Sequence, residues 1–414
     1  MAADDGSGTQ ISSITSLGLE LPPSCVEFSP LDPTYFLVGT YYLQQDGGSA
    51  DAARDPGKRQ NRSGSIVVFQ IVEESLVRIQ TVLQPSAILD LHFQSSGGRL
   101  DICGAVSSTA SLAIFSFSPS SWPSSPLRLL NIARVPAISE DVLFLSFCWL
   151  PFAPDQVALT TSTGHVYLVK LGANFGDGAN SSKPILTHSL ETWCVAVSPV
   201  PQLAADSAAN DAGAGTFNLF SGGDDSALYY TTCRMISGSQ EGAGTDLAVQ
   251  CLFPAVKMGG HEAGVTAVLP LPLRRESPDL VITGSYDDHI RLFSIEPLHR
   301  TGGIRKTRKL AEENLGGGVW RLKLVKATAQ DLTSTDGWKI LILASCMHAG
   351  VRVVELIETP AGDHHFRVLG RFEEHQSMNY GSDMQPGRQG SSIRCVSTSF
   401  YDKLLCLWDL NLGS

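Results

Sequence analysis

One pattern returns again and again along this chain. It consists of an apolar run, one or two small residues, a polar turn, and an alternating strand that closes on an aromatic or aliphatic side chain. It is clearest in DLVITGSYDDHIRLFSIE (279–296), and recurs as FNLFSGGDDSALYYTTC (217–233) and RCVSTSFYDKLLCLWDL (394–410). With the frame set, ILILASCMHAGVRVVEL (340–356), DQVALTTSTGHVYLVKL (155–171) and RLDICGAVSSTASLAIFSF (99–117) fall into it. A further copy, TYFLVGTYYLQ continuing at SGSIVVFQI, is split by a polar loop. Anchored just before each turn, the copies stand at 39, 106, 160, 221, 284, 345 and 399, at intervals of 67, 54, 61, 63, 61 and 54 residues. A repeat of this kind cannot bury its apolar face alone and must stack on its neighbours. Radial stacking of small antiparallel sheets also protects the strand edges that an open array would expose. The expected fold is all-β, a single seven-bladed WD40-type β-propeller.

The intervals exceed the 40–45 residues of an ordinary WD40 repeat. Polar, small or basic stretches near 44–64, 201–215, 234–247 and 299–309 account for the excess as surface loop insertions. Residues 1–10 read as a flexible N-terminal tail and 11–414 as the propeller, with 11–20 supplying the outermost strand of the last blade and closing the ring.

Composition narrows the function. A net charge of −11 without a long basic run argues against a nucleic-acid groove. The nine cysteines sit mostly in apolar strands and form no CxxC pair, so the expectation is reduced buried thiols and no metal site. The first twenty residues carry neither a basic nor an apolar leader region, and no apolar run is long enough to span a bilayer. A cytoplasmic protein with no membrane partner is expected.

In WD-type blades a histidine before the first strand, an aspartate in the turn between the second and third strands, and an aromatic on the third form a buried polar link. Such a link answers the need of a buried carboxylate for a donor. GGHEAGV supplies His261, with Asp287 and Phe293 downstream. His188 stands before ETWCVAV, with Asp224 as its expected partner, and His375 stands before Tyr380, with Asp402 and Trp408 downstream. His375, Asp402, His261 and Asp287 are therefore assigned to the scaffold.

Other residues depart from the blade pattern. Trp320 in GGGVW and Trp193 in ETWCVAV occupy the start of a first strand, where Val265 shows the ordinary small aliphatic choice. His348 in CMHAG replaces the turn aspartate, and Asp383 falls within a strand that ought to be apolar. All map, with Tyr286 and Tyr401, to the face that carries the turns between second and third strands. Channel packing would also explain the tryptophans, and a hydrogen-bonded core position would explain His348. No serine elbow, HExxH, P-loop or dinucleotide fingerprint is present. On motifs alone the chain reads as a binding scaffold.

Taken together, CVEFSP, FLVGTYYLQ, SGGDDSAL, TGSYDDHIRLF, GGGVWRLKL, LASCMHAGVRV, YGSDM and STSFYDKLLCLWDL make the chain similar, in order and over nearly its whole length, to the diphthine methyl ester hydrolases, the WD-repeat family of diphthamide biosynthesis. Met384 stands where that family's pattern leads one to expect an aromatic. The resemblance implies a cofactor-independent methylesterase acting on methylated diphthine of translation elongation factor 2, working as a monomer. It implies a trimethylammonium group close to the scissile ester, suited to the aromatic faces of Trp193, Trp320, Tyr286 and Tyr401. A water attack is expected, with His348 as general base, Asp383 orienting it or acting directly, and Tyr380 donating to the oxyanion. His375 is the reserve base, and a covalent route through Cys346 is the less favoured chemistry. The competing class is a non-catalytic adaptor in trafficking or ubiquitin-ligase assembly.

Overall fold

The computed structural model describes residues 8–43, 61–94, 99–176, 178–199, 215–236, 249–271, 279–296, 306–326, 337–387 and 391–412. Its described residues form seven small sheets arranged in chain order. Blade one begins at the innermost strand Pro23–Phe28, blade two at Ile88–Phe93, blade three at Phe144–Leu150 and blade four at Thr192–Pro199. Blades five, six and seven begin at Val265–Pro270, Arg321–Lys326 and Gly381–Met384. Within each blade the strands pair antiparallel with their sequence neighbours, the meander expected of a chain rich in β-branched residues and short turns.

Burial shows why seven sheets close on themselves. The apolar side chains gather into clusters that each straddle two blades. Blades one and two share Leu37, Val68, Leu91 and Phe115, for example, and blades five and six share Ile282, Leu292, Ile340 and Val354. The ring is completed where Phe36, Val38 and Phe69 of blade one meet Val396, Leu405 and Leu407 of blade seven. Among the described residues no blade has a core of its own, so each is stable only against both neighbours.

The chain's first described residues fasten this ring. Ser13–Gly18 pairs antiparallel with Leu404–Asn411 and becomes the fourth strand of blade seven, the closure expected from residues 11–20. Just before it, Thr9–Ile11 runs parallel to Gly370–Phe372 at the outer edge of blade six, with Ile11 buried between the two blades. Two residues of the stretch read as a tail, Thr9 and Gln10, thus lie in a strand, while residues 1–7 lie outside the described residues. The expected insertions lie mostly outside them as well. Of their flanks, residues 62–64, 234–235 and 307–309 belong to strands.

Of the nine cysteines, Cys148 is half-buried, Cys251 is exposed and the rest are buried. Cys251 lies opposite Cys233 on paired strands, with the sulfurs 4.0 Å apart.

The start of the innermost strand carries the feature that shapes the site. In blades one, two, four and five its pairing with the second strand slips by one residue, between Pro23 and Cys25, Ile88 and Asp90, Thr192 and Cys194, and Val265 and Ala267. A bulge leaves one residue unpaired and re-aims it. In blade four that residue is Trp193.

Candidate active site

The turns between second and third strands, and the connections into each innermost strand, lie at one end of the central channel. Half-buried aromatic rings from several blades meet there. Trp193 of blade four, Tyr286 of blade five and Trp320 of blade six are mutual neighbours, with ring centroids 5.6 Å (Trp193–Trp320), 5.9 Å (Tyr286–Trp320) and 6.3 Å (Trp193–Tyr286) apart. Trp320 continues the row to Tyr380 of blade seven at 5.0 Å, and Tyr380 to Phe400 at 5.4 Å. Phe400 in turn touches Tyr41 of blade one and Tyr401. The rings pack on one another, so a bound cation would lie on their open faces rather than between them. Fixed carboxylates border the row: the Trp193 Nε1–H donates to Asp224 Oδ1 at 3.0 Å. Burial, then the neighbouring Tyr380, Asp224 and Glu191, push the Tyr286 hydroxyl well above its usual pKa, so it stays a neutral donor.

Beneath the rim the channel is crossed by ionised side chains. Trp320 donates its backbone N–H to Ser345 O, and Arg321, the next residue, pairs with Ser345, the last residue before the turn. Lys323 pairs with Leu343, two residues further in and so about 7 Å deeper. Arg321 Nη1 reaches Asp90 Oδ1 of blade two at 2.8 Å, spanning the channel from blade six. Asp90 is fully buried; Ser146 Oγ of blade three donates to its other oxygen at 2.9 Å, and His92 Nε2 lies 3.2 Å away. His92 Nδ1 meets Glu27 of blade one, Glu27 lies 4.0 Å from Lys323 Nζ, and Lys323 Nζ is 2.7 Å from Asp383 Oδ2 of blade seven.

Burial would discharge the His92 ring, but Asp90 and Glu27 outweigh it and raise its pKa to about 10. For Asp90 too, burial is overcome, here by Arg321 and His92, and the carboxyl is held far below its usual range. With His92 protonated, three carboxylates face three cations, the condition under which buried charge is tolerated.

The sequence-predicted residues divide between these layers and the scaffold. Trp193, Trp320, Tyr286 and Tyr380 come together in the rim, and Tyr401 joins at its outer end, 69% exposed with its ring edge-on to Phe400. His348 and Asp383 are not brought together. His348 is exposed at the tip of the blade-six turn, not a core group. That turn is pinned to the rim by the bridge between Met347 and Asn379, the residue before Tyr380. Asp383 lies inside the channel, 1% exposed, and it has a partner. Lys323 takes one oxygen with the Phe28 N–H (2.7 Å), and the Met384 N–H takes the other (2.7 Å). Burial, opposed by Lys323, leaves its pKa raised.

Among the scaffold links, only His188 bonds its aspartate directly. The partner is Asp225 at 2.9 Å, not the expected Asp224, because Asp224 is turned toward Trp193. His188 Nε2 is also 2.8 Å from Ser221 Oγ, which gives a serine–histidine–aspartate geometry. Ser221 is fully buried, so no ester can reach it. His261 and His375 bond instead to Thr283 and Ser397, each at 2.8 Å, and Trp408 Nε1–H donates to Ser397 at 3.0 Å. Asp287 and Asp402 accept the backbone N–H groups of Glu262 and Gln376. His375 is buried, and burial lowers its pKa to about 4. It ties blade seven together and does not face the rim.

The sequence reading overlooked Phe400 and Tyr41 in the rim, and Arg321, Lys323, Glu27, Asp90 and His92 below it. Their signal was available in CVEF, LDLHF and RLKL, where charged residues interrupt innermost strands as Asp383 does in GSDM.

No family model matches the chain. Several curated relatives do. A Saccharomyces cerevisiae protein named diphthine methyltransferase is 25% identical over 95% of this chain and 97% of its own length. A Dictyostelium discoideum protein named diphthine methyltransferase homolog is 23% identical over 94% and 97%. The Homo sapiens diphthine methyltransferase is 24% identical over 94% of this chain and 78% of its own length. Fold, rim and similarity over nearly the whole chain agree: this chain is similar to the proteins named diphthine methyltransferase.

Proposed function

We propose that the chain hydrolyses the methyl ester of methylated diphthine on translation elongation factor 2, a step of diphthamide biosynthesis, and that it does so in the cytoplasm as a monomer without a cofactor. The observation that carries this is the continuous aromatic rim at the channel mouth, bordered by Asp224. Open faces of Trp193 and Trp320 attract a trimethylammonium group through their quadrupoles, and the carboxylate adds charge attraction. The rim is at the surface of the ring, where a side chain carried by a large protein can reach it.

Hydrolysis needs a base for water and a donor for the developing oxyanion. His348 is exposed on the turn pinned beside Tyr380 and is our candidate base; Tyr380 is the candidate donor. Asp383 acts through Lys323, as a positioning residue of the channel floor rather than as the base. Among the described residues no helix is long and apolar enough to cross a membrane.

The test is to incubate the purified protein with elongation factor 2 carrying the methyl ester and to follow the mass of the modified peptide together with released methanol. Loss of one CH2 with methanol is expected. The relatives' name denotes transfer, which would add a CH2; a gain, or an unchanged mass with folded protein and verified substrate, would remove the hydrolase reading. His348→Ala should lower the rate by at least about 100-fold; full activity in that variant would eliminate His348 as the base.

A further inference from the structure

The rim and the first charged layer beneath it have opposite character. Above are aromatic faces and Asp224, which favour a cation. The layer below holds a guanidinium, that of Arg321, which follows Trp320 in the chain and is the first paired residue of the innermost strand of blade six. Arg321 spans the channel between two blades. It leaves blade six, pairs with Asp90 of blade two, and lies near enough to Cys25 of blade one and Cys194 of blade four to oppose the rise that burial gives both thiols. Its side chain keeps 25% of its surface open; Nη2 lies 3.4 Å from Leu89 O, and the buried Nε–H has no partner among the described residues. Asp90, for its part, has both oxygens engaged by Arg321, Ser146 and His92, and fixes the guanidinium in place.

Resting on the hydrolase reading, we propose that Arg321 receives the carboxyl end of the ligand whose trimethylammonium lies on the Trp193 and Trp320 faces. The site is thus built for a quaternary ammonium and a carboxyl group attached to the same carbon, the chemistry of a betaine. In the reaction, the water oxygen adds to the carbonyl carbon and negative charge gathers on the carbonyl oxygen facing Arg321. The bond to the methoxy oxygen then breaks. One proton of the water leaves with methanol, the second goes to the base, and the carboxylate remains against the guanidinium. A preformed cation at that point stabilises the oxyanion more than the neutral ester. It also holds the product, because a planar guanidinium matches a carboxylate in geometry as well as charge. Product release is accordingly the step that Arg321 slows.

Tetramethylammonium and glycine betaine separate the two poles, because only the second carries a carboxylate. Binding of each is read by quenching of the tryptophan fluorescence of the full chain. Glycine betaine should bind about tenfold more tightly than tetramethylammonium. In the double variant Arg321→Met with Asp90→Asn, which leaves neither charge of the pair alone, that ratio should fall to about one while tetramethylammonium binding stays within about twofold, itself a check that the variant is folded. A tenfold ratio that survives in the variant, or a ratio near one in the unaltered protein, would overturn the assignment of Arg321 while leaving the aromatic site standing. Failure of tetramethylammonium to bind the unaltered protein would sink the aromatic reading and the assignment together.

Discussion

Replacing either member of the Lys323–Asp383 pair tests whether Asp383 is a structural anion or a catalytic one. At 2.7 Å the gross attraction is about 6 kcal/mol for an effective dielectric constant of 20. Most of it is offset by taking the charges out of water, and the offset is unequal. The Asp383 side chain is 2% exposed and that of Lys323 is 41% exposed. In Lys323→Met the carboxylate is left buried with Glu27 as its nearest charge, and the loss should be the about 3–5 kcal/mol of a broken buried pair. In Asp383→Asn the freed ammonium can turn to water or to Glu27, 4.0 Å away, and the amide oxygen can still accept the Phe28 N–H, so the cost should be only about 1–2 kcal/mol. The double variant should fall short of the sum, since the penalty of the orphaned carboxylate disappears. Urea denaturation of the four proteins gives these values, and methyl loss from the elongation factor gives their activity. Asp383→Asn should stay within about tenfold of the unaltered rate, whereas loss of a general base costs about 10²–10⁴-fold. A variant as stable as the parent yet slowed by a hundredfold or more would refute the structural assignment, and so would Lys323→Met costing less than about 1 kcal/mol.

Trp320→Ala should raise KM for the methyl-ester substrate by about 2- to 30-fold, the range of a cation–π contact; an unchanged KM would mean that Trp320 only packs the rim. The titration of three histidines should make stability fall on both sides of neutrality. His92, raised to about 10 by Asp90 and Glu27, contributes stability that is complete below 6.5 and lost as the pH climbs toward 10. His261 and His375, each lowered to about 4 by burial, contribute stability that is present above 6.5 and lost as the pH falls toward 4. Denaturation midpoints at pH 5, 7 and 9 would show this, and His92→Gln should flatten the alkaline limb alone; an unaltered limb would remove His92 from the network.

The fold was legible because its signal is local and repeated. Each blade announces itself by an apolar run, a turn and an alternating strand, and ring closure by residues 11–20 follows from a blade otherwise one strand short. The rim was legible for a related reason: Trp193 and Trp320 break a pattern the other copies set. The channel floor was harder to read. Asp383 stood out as a lone carboxylate, but its cation lies in the preceding blade and Glu27 lies 356 residues earlier in sequence, a pairing that only the closed ring creates. The mistaken partner of His188 has a smaller cause. SGGDDS offers adjacent aspartates, and the choice between Asp224 and Asp225 depends on which side of the turn faces Trp193.

The doubled strap at the start of the chain governs the order in which the molecule can be made. Residues 9–11 and 13–18 leave the ribosome hundreds of residues before their partners at 370–372 and 404–411. Through most of synthesis, at about 5–20 residues per second, the leading strands have nothing to pair with and the outer flank of blade one has no blade beside it. Long-range pairing of this kind delays the cooperative step until blade seven is available. The nascent propeller is therefore an open arc with sticky ends, and its solubility in that interval depends on whatever shields Phe36, Val38 and Phe69 before Leu405 and Leu407 arrive.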